Sequence, residues 1–338
     1  MLLPFLHKLA ANEDLSAGEA HQAMLAILSG AVTTPQICEF LTCLRTKGET
    51  SDELLGFARA MREKTIRIDA SVAPEALLDT CGTGGGAGST FNISTIAAFV
   101  VAGAGARVAK HGNRSFSTQC GSADILEQLG VQVSQPPERI GQAIREIGIG
   151  FLFAPLLHPA MKHAHPARIE IKTRTVFNLL GPLTNPAGAT RQLIGAPSLE
   201  AAKLMANAMA GLGTERAFVV HGSDGLDEVT TTGATQIYEI AGSTVRCFQW
   251  TPADFGVPQA NIEDLRGGDR ARNAEIASAV LEGRPGPERD IVLVNSAAAL
   301  LVSGFAAHPK DAMERAAHAI DSGAAREKLR ALAEFSQG

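Results

Sequence analysis

Residues 82–88 read Gly-Thr-Gly-Gly-Gly-Ala-Gly. They lie between the apolar stretch Leu77–Cys81 and the run Ile96–Ala102, which is apolar on all sides. That order constrains the chain strongly: a short buried strand, a turn of bare backbone, then a helix packed against a sheet rather than lying on the surface. Backbone N–H groups in a glycine turn are unshielded and bind anions well. A helix that starts just after the turn adds the positive end of its dipole. Thr90, Asn92, Ser94 and Thr95 crowd that helix start, and Lys110-His-Gly-Asn-Arg114 follows a second candidate strand, Arg107–Lys110. If the two strands lie side by side, Lys110 and Arg114 carry full positive charge to the glycine turn, which then suits more than one phosphate. Two familiar phosphate loops do not fit. No Gly-Lys-Ser/Thr follows the glycines, and Lys110-His111 stands where a dinucleotide fingerprint needs an acid at the end of the next strand.

The rest of the chain divides by pattern. Residues 1–66 read as helices: Ser16-Ala-Gly-Glu19 and Thr50-Ser-Asp-Glu53 are capping boxes, and Thr34-Pro35 places proline in a first turn. Three short helices make a thin core, so they must pack on the rest of the chain, on another copy, or on both. Beyond Ser71-Val-Ala-Pro74, short strands alternate with helices. The clearest strands are Leu77–Cys81, Arg107–Lys110, Phe218–His221, Gln236–Ile240 and Thr244–Trp250, the last two joined by the turn Ala241-Gly242-Ser243. The expected fold is α/β: a small N-terminal helical domain and a larger domain with a central, mixed, mostly parallel sheet surrounded by helices. Residues 252–269 are expected to form a loop with one short helix.

Composition excludes several classes. At 338 residues the chain can bury a large core, and 45% apolar with 19% charged residues is an ordinary globular balance. A net charge of −5 gives no global attraction to nucleic acid or acidic membranes. The apolar run from Ile96 is too short to span a bilayer, and Met1–Phe5 lacks the cationic flank and sustained apolar core of a signal peptide. Cys38, Cys43, Cys81, Cys120 and Cys247 are odd in number without a Cys-x-x-Cys pair. They read as reduced thiols of a cytoplasmic protein.

A second chemical element is Asp227-Glu228 in Gly222-Ser-Asp-Gly-Leu-Asp-Glu228, on a loop after the strand Phe218–Val220. Alone, such a pair is by default a solvated acidic turn. Beside a phosphate loop it suits Mg²⁺, which prefers hard oxygen ligands and bridges carboxylates to substrate phosphates. His158, His163 and His165 are close in sequence but lack the spacing of a zinc site, and loop or packing roles are expected of them. Cys120 has no evident base beside it and is not read as a nucleophile.

Beyond these elements, the chain resembles the anthranilate phosphoribosyltransferase family over nearly its whole length. The resemblance is carried by GTGG…TFNIST, KHGNR…GSADILEQLG, GFLFAPLLHPAMKHAHPAR, RTVFNLLGPLTNPAG, HGSDGLDEVTTTGAT and RNAEIASAVLEG…DIVLVNSAAALLVSG. It implies a tryptophan-pathway enzyme that moves the 5-phosphoribosyl group of phosphoribosyl pyrophosphate (PRPP) to the amine of anthranilate, with no covalent intermediate. It also implies two Mg²⁺ per subunit and a homodimer built through a helical domain of residues 1–70, joined by helices from about 159–185. Residues 75–338 then form the catalytic domain.

Carried over by position, Gly82, Gly85, Gly86, Thr90, Asn92, Ile93, Ser94 and Thr95 surround PRPP. So do Lys110, His111, Gly112, Asn113, Arg114, Ser117, Thr118 and Ser122, with Lys110 on the pyrophosphate. Gly82, His111, Asn113 and Arg168 face anthranilate, where the Arg168 guanidinium suits a carboxylate. Ser94 serves one metal and Asp227 the other, with Glu228 shared. Arg174 fits either the acceptor tunnel or a hinge. The chain departs from the family at Gly86, where an Asp is usual, at Thr118 and Cys120, where serines are frequent, and at Ile171-Lys172, where Leu-Gly is common. A related pyrimidine nucleoside phosphorylase and a non-catalytic, nucleic-acid-binding paralogue are the alternatives.

Overall fold

Four helices open the chain: α1 (Leu3–Ala10), α2 (Ala17–Leu28), α3 (Thr34–Lys47) and α4 (Ser51–Lys64). Both capping boxes form. The Ser16 hydroxyl accepts from the Glu19 N–H at 3.3 Å, and the Thr50 hydroxyl accepts from the Glu53 N–H at 3.2 Å. Each glutamate accepts the cap residue's own N–H in return. The helix the sequence reading lacked is α1. No side chain caps it, and its one local signal is Pro4 in the first turn. The structure, a computed structural model, describes residues 2–70, 76–84, 90–115 and 119–338.

Seven strands make one sheet: β1 (Leu77–Gly82), β2 (Arg107–Gly112), β3 (Ile149–Phe153), β4 (Arg191–Gly195), β5 (Arg216–Gly222), β6 (Thr235–Ala241) and β7 (Thr244–Trp250). Their order is β3-β2-β1-β4-β5-β6-β7. β3 through β5 in that order run parallel, while β6 and β7 are antiparallel. The expected mixed, mostly parallel sheet is therefore present, with two strands that had not been anticipated. Every residue of β3 is buried, and four of the five in β4. A strand covered on both faces has no alternation to betray it. Residues 252–269 hold two 3₁₀ turns, Pro252–Phe255 and Ile262–Leu265, rather than one helix.

Side chains of β4 and β5 divide between two cores, as a two-residue repeat requires. Leu193, Phe218 and Val220 join the core containing helix α5 (Ile93–Gly103) and the helix Pro287–Ser303. Ile194, Ala217 and Val219 join a second core that includes α2–α4 and Leu199–Ala210. The segments Pro159–His163 and His165–Ile171 pack on α2 and α3, and Ala164, Ala167, Phe177 and Leu180 lie in that same core. Arg62 of α4 donates to the carbonyls of Leu183 and Leu212. The helical bundle is thus tied both by apolar contact and by a buried cation.

Lys172 caps the helix His165–Ile171 in the left-handed region, at φ 56°. An L side chain there costs free energy that glycine does not incur, which gives a physical reason for the glycine common at this position. Lys172→Gly is expected to raise stability by about 1 kcal/mol, measured as a higher denaturant midpoint. An unchanged or lower midpoint would show that the lysine carries a compensating contact.

Candidate active site

In the sheet, β1 pairs with β2 on one side and β4 on the other, so the strand order reverses at β1/β4. The crevice beyond the strand ends at such a reversal is where open α/β sheets hold ligands. Here Gly82 pairs with Gly195, and the Thr83 N–H donates to the Gly195 carbonyl at 3.1 Å. Over these ends lies the loop after β5. A Cβ on Gly195 would sit 1.7 Å from the Asp227 carbonyl oxygen, and one on Gly82 would sit 2.8 Å from Asp227 Oδ2. Gly195 must lack a side chain for the backbone of the acidic loop to approach, whereas at Gly82 it is the Asp227 carboxylate that lies close.

The loop brings Glu228 to the N-terminus of α5, against the Ser94 N–H. Burial, reinforced by the Asp227 charge, pushes the Glu228 carboxyl up to about 8; Lys110 and the Ser94 N–H oppose this only in part. Glu228 as a whole is half-buried, so it is the packing around its carboxyl that sets the shift. Lys110 at the end of β2 is 3% exposed. Its ammonium donates to the Thr80 carbonyl at 2.5 Å and reaches Ser94 Oγ at 3.5 Å. Burial pulls its pKa down, although Asp79 and Glu228 oppose that. Ser94, Lys110, Asp227 and Glu228, anticipated as a group, therefore do converge around one helix start.

The donor set fits a hard cation: a hydroxyl and two carboxylates, one of them pushed up to about 8 by burial. Among the described residues no three His, Cys, Asp or Glu gather as a metal cluster. An ion here would complete its shell with substrate phosphate oxygens and water.

Other anticipated residues are placed differently. Asn92 donates to the Cys120 carbonyl and accepts from Asn273, so its amide braces two loops. Thr90 makes an isolated bridge to Arg266, and Ile93 and Thr95 are buried in the core side of α5. Ser122 Oγ bonds both the N–H and the carbonyl of Asn113, and a Cβ on Gly112 would strike it at 2.2 Å. Arg114 was expected to lend its charge to phosphate. It instead pairs with Asp124 at 3.1 Å and Glu127 at 2.5 Å. Arg174 is exposed. Gly85, Gly86, Ser117 and Thr118 lie outside the described residues. Cys120 is buried, which pushes its thiol up and keeps it protonated.

Sequence reading missed several supports. Asp124, 3% exposed, accepts from the N–H groups of Ser115 and Gly121 and pairs with Arg270 at 2.8 Å, closing the base of the Lys110–Arg114 loop. Asp79 accepts from the His111 N–H and from Asn185. A lone acid inside an apolar strand was the available signal. His158, dismissed to packing with its neighbours, bonds His111 between their Nε2 atoms at 3.1 Å.

That histidine pair has one consistent tautomeric arrangement when both rings are neutral. The Gly181 carbonyl can only accept, so His111 Nδ1 donates to it at 3.1 Å. His111 Nε2 then accepts from His158 Nε2, which leaves His158 Nδ1 an acceptor 2.9 Å from the Thr65 hydroxyl, whose single proton is shared with the Met61 carbonyl at 2.8 Å. The chain runs from the end of α4 to the end of β2. Arg168 is half-buried, with its guanidinium 5.6 Å from the Phe177 ring centroid. Burial lowers its pKa, and no carboxylate pairs with it among the described residues.

A helical bundle set against a parallel sheet with this loop and acidic pair defines a glycosyl transferase. The family model for the glycosyl transferase helical bundle domain matches residues 3–65, and that for the a/b domain matches residues 74–326. Anthranilate phosphoribosyltransferase of Solibacter usitatus is 60% identical over 99% of this chain and 98% of its own. That of Moorella thermoacetica is 52% identical over 98% and 97%. The solved Thermus thermophilus anthranilate phosphoribosyltransferase superposes with a TM-score of 0.92 at 40% identity, covering 98% of this chain and 99% of that one. The Saccharomyces cerevisiae enzyme in complex with PRPP and Mg gives 0.91 at 29% identity, covering 99% and 98%. The chain belongs to the anthranilate phosphoribosyltransferase family.

The buried histidines carry a pH dependence. Desolvation holds His111 at about 3 and His158 at about 4, both below the ordinary 6.5. Between pH 6.5 and 4 the unfolded chain binds protons that the folded chain does not. Stability is therefore fully present above 6.5 and falls as pH drops, by at most about 1.4 kcal/mol per pH unit per ring. Urea midpoints from pH 7 to 5 should fall in the parent and fall less steeply in His158→Phe. Equal slopes would show that His158 is not buried as a neutral ring.

Proposed function

We propose that this chain transfers the 5-phosphoribosyl group of PRPP to the amine of anthranilate, releasing pyrophosphate. The observation that carries the reading is the pairing of two sites of opposite need. At the β1/β4 crevice, a helix N-terminus, a buried lysine and two adjacent carboxylates suit a metal-bound diphosphate. On the helix His165–Ile171, Arg168 is a half-buried cation without a carboxylate partner among the described residues, suited to the carboxylate of a small aromatic acid.

In the reaction, the C1–O bond to pyrophosphate breaks as the amine nitrogen forms its bond to C1 from the opposite face, and the amine then loses a proton. Ser94, Asp227 and Glu228 would hold Mg²⁺, in one ion or two. When bound, the metal neutralises charge on the departing pyrophosphate. Lys110 and the N–H groups opening α5 supply fixed positive charge beside it, and fixed charge needs no reorganisation as the bond breaks. Asn113, exposed at the end of β2, and His111 border the acceptor. His111, locked with its Nδ1 proton on Gly181, presents no charge to it. No residue need act as nucleophile, and orientation supplies much of the remaining rate.

The same reading extends to assembly and compartment. Leu3 and Ile169, 54% and 52% exposed, give the helical domain apolar surface for a second copy in a homodimer. Free thiols suit the cytoplasm, and no helix among the described residues is long and apolar enough to cross a membrane. Arg114 and Arg270, held by Asp124 and Glu127, offer no free basic stripe to nucleic acid.

Purified protein mixed with PRPP, MgCl₂ and anthranilate should consume anthranilate fluorescence in a magnesium-dependent way. Arg168→Ala is expected to raise KM for anthranilate about 30-fold or more, the equivalent of about 2 kcal/mol. Glu228→Gln should lower kcat/KM for PRPP about 100-fold. Absence of turnover at every magnesium concentration, with PRPP still bound, would overturn the transferase reading. Gly86→Asp, restoring the acid usual in the family, should lower the magnesium concentration for half-maximal rate.

A further inference from the structure

Asn295 lies in the middle of the helix Pro287–Ser303, between Val294 and Ser296, and is completely buried. An amide in an otherwise apolar helix core costs stability unless every polar atom is bonded. Here all of them are used. Oδ1 accepts from the Val229 N–H at 2.9 Å, while Nδ2 donates to the Val229 carbonyl and to the Ile291 carbonyl, each at 2.9 Å. The two bonds to Val229 grip the backbone of one residue through both of its peptide groups, and they fix which way the amide faces.

Val229 is the residue after Glu228. On the other flank, the Asp224 carboxylate accepts from the Leu226 N–H at 3.0 Å and from the Thr230 hydroxyl at 2.5 Å. Asp224 therefore closes the loop upon itself, and Asn295 ties it to the helix Pro287–Ser303, while Thr83 and the Ser94 N–H meet Asp227 and Glu228 at its tip. The helix that carries Asn295 also packs along α5, which begins at Ile93 and presents Ser94. One rigid helix thus refers both halves of the oxygen donor set, Ser94 and Asp227-Glu228, to a common frame.

We propose that Asn295 is a positioning residue for the divalent cation that accompanies a phosphorylated sugar, setting the acidic pair at its working distance from Ser94. The inference rests on the metal reading of that site. Removing the amide leaves the loop folded upon itself through Asp224 but no longer clamped to the helix that packs on α5. Metal affinity should suffer, while the acceptor side, carried by Arg168 and His111, should not.

The test measures Mn²⁺ binding in the presence of PRPP by the loss of the free-ion electron paramagnetic resonance signal. Asn295→Asp, nearly isosteric, cannot make the two Nδ2 donations as a carboxylate, and Asn295→Ala removes the whole clamp. Each is expected to raise the Mn²⁺ dissociation constant about tenfold or more, with KM for anthranilate changed less than twofold. Val294→Ala, which opens a cavity in the same helix without touching a polar bond, should destabilise the protein comparably yet leave the Mn²⁺ constant within twofold.

Asn295 variants that bind Mn²⁺ like the parent, or a Val294→Ala variant that loses as much affinity, would overturn the proposal. A parent protein that fails to bind Mn²⁺ with PRPP would instead overturn the metal reading itself. Should the Asn295 variants not fold, amide exchange in the parent decides. A Val229 N–H as slow as those of Ile291–Ser303 before any metal is added supports the clamp, and fast exchange refutes it.

Discussion

The Asp227 carbonyl occupies the place where a side chain on Gly195 would begin, 1.7 Å from an added Cβ. Everything chemical in this molecule depends on that approach. Because β1 and β4 end in glycines paired with each other, the loop after β5 can fold back across both strand ends. Its carboxylates then arrive at the start of α5, which follows β1. Any side chain at Gly195 would lift the loop away from Ser94 and Lys110. The crevice at a strand reversal is common to α/β sheets; what specialises this one is that glycine on both strands allows carboxylates to enter it.

Bringing them there is costly, and the cost is visible in the ionisation of the groups. Glu228 is pushed up to about 8 and Lys110 is pulled down, each chiefly by burial. Opposite charges so placed would ordinarily offset one another's desolvation. Here they do so only in part, because Asp227 adds a second negative charge beside Glu228 and Lys110 answers to Asp79 as well. Charges of both signs are thus gathered at one place, two carboxylates on one side and a lysine with the helix start on the other, suited to a cation and to anions respectively. A metal diphosphate supplies both in one ligand. This is also how a chain of net charge −5 can hold a highly charged anion. The attraction is local and prebuilt, and Arg114 and Arg270 brace a loop rather than create a long-range field.

The elements legible in the sequence were those with a local cause. Capping boxes announced α2 and α4, and the Ala241–Ser243 turn announced the β6–β7 hairpin. Buried β3 and β4 carried no alternation, and α1 had no capping side chain, so each was missed. The same division holds in the site. Ser94, Lys110, Asp227 and Glu228 could be named because their residue types declare their chemistry. Asn295, Asp124, Asp79 and the pairing of His158 with His111 could not, because what they do depends on partners 9 to 106 positions away. The ion pairs of Arg114 were hidden for that same reason: its charge was evident, but the carboxylates that pair with it lie 10 and 13 residues further on.

In the proposed reaction the two reactants are held by different bodies. The groups around PRPP sit on sheet ends and α5, whereas Arg168 belongs to a helix packed in the core of the helical bundle. The separation of the amine from C1 is therefore set by how those bodies pack, and a productive encounter tolerates only about 3–3.5 Å between reacting atoms. That places a demand on the junction which apolar contact alone, being non-directional, does not meet. Directional bonds are found there: Arg62 to two carbonyls across the interface, Asn185 to Asp79 and the Ala109 carbonyl, and the run from Thr65 through both histidines to Gly181. Each member of that run fixes the proton position of the next. Thr65 at the end of α4 and His111 at the acceptor site are consequently parts of one oriented chain, and rotation of the bundle against the sheet would break it. The polar groups at the junction thus act on the reaction through geometry, by holding two rigid bodies in one register.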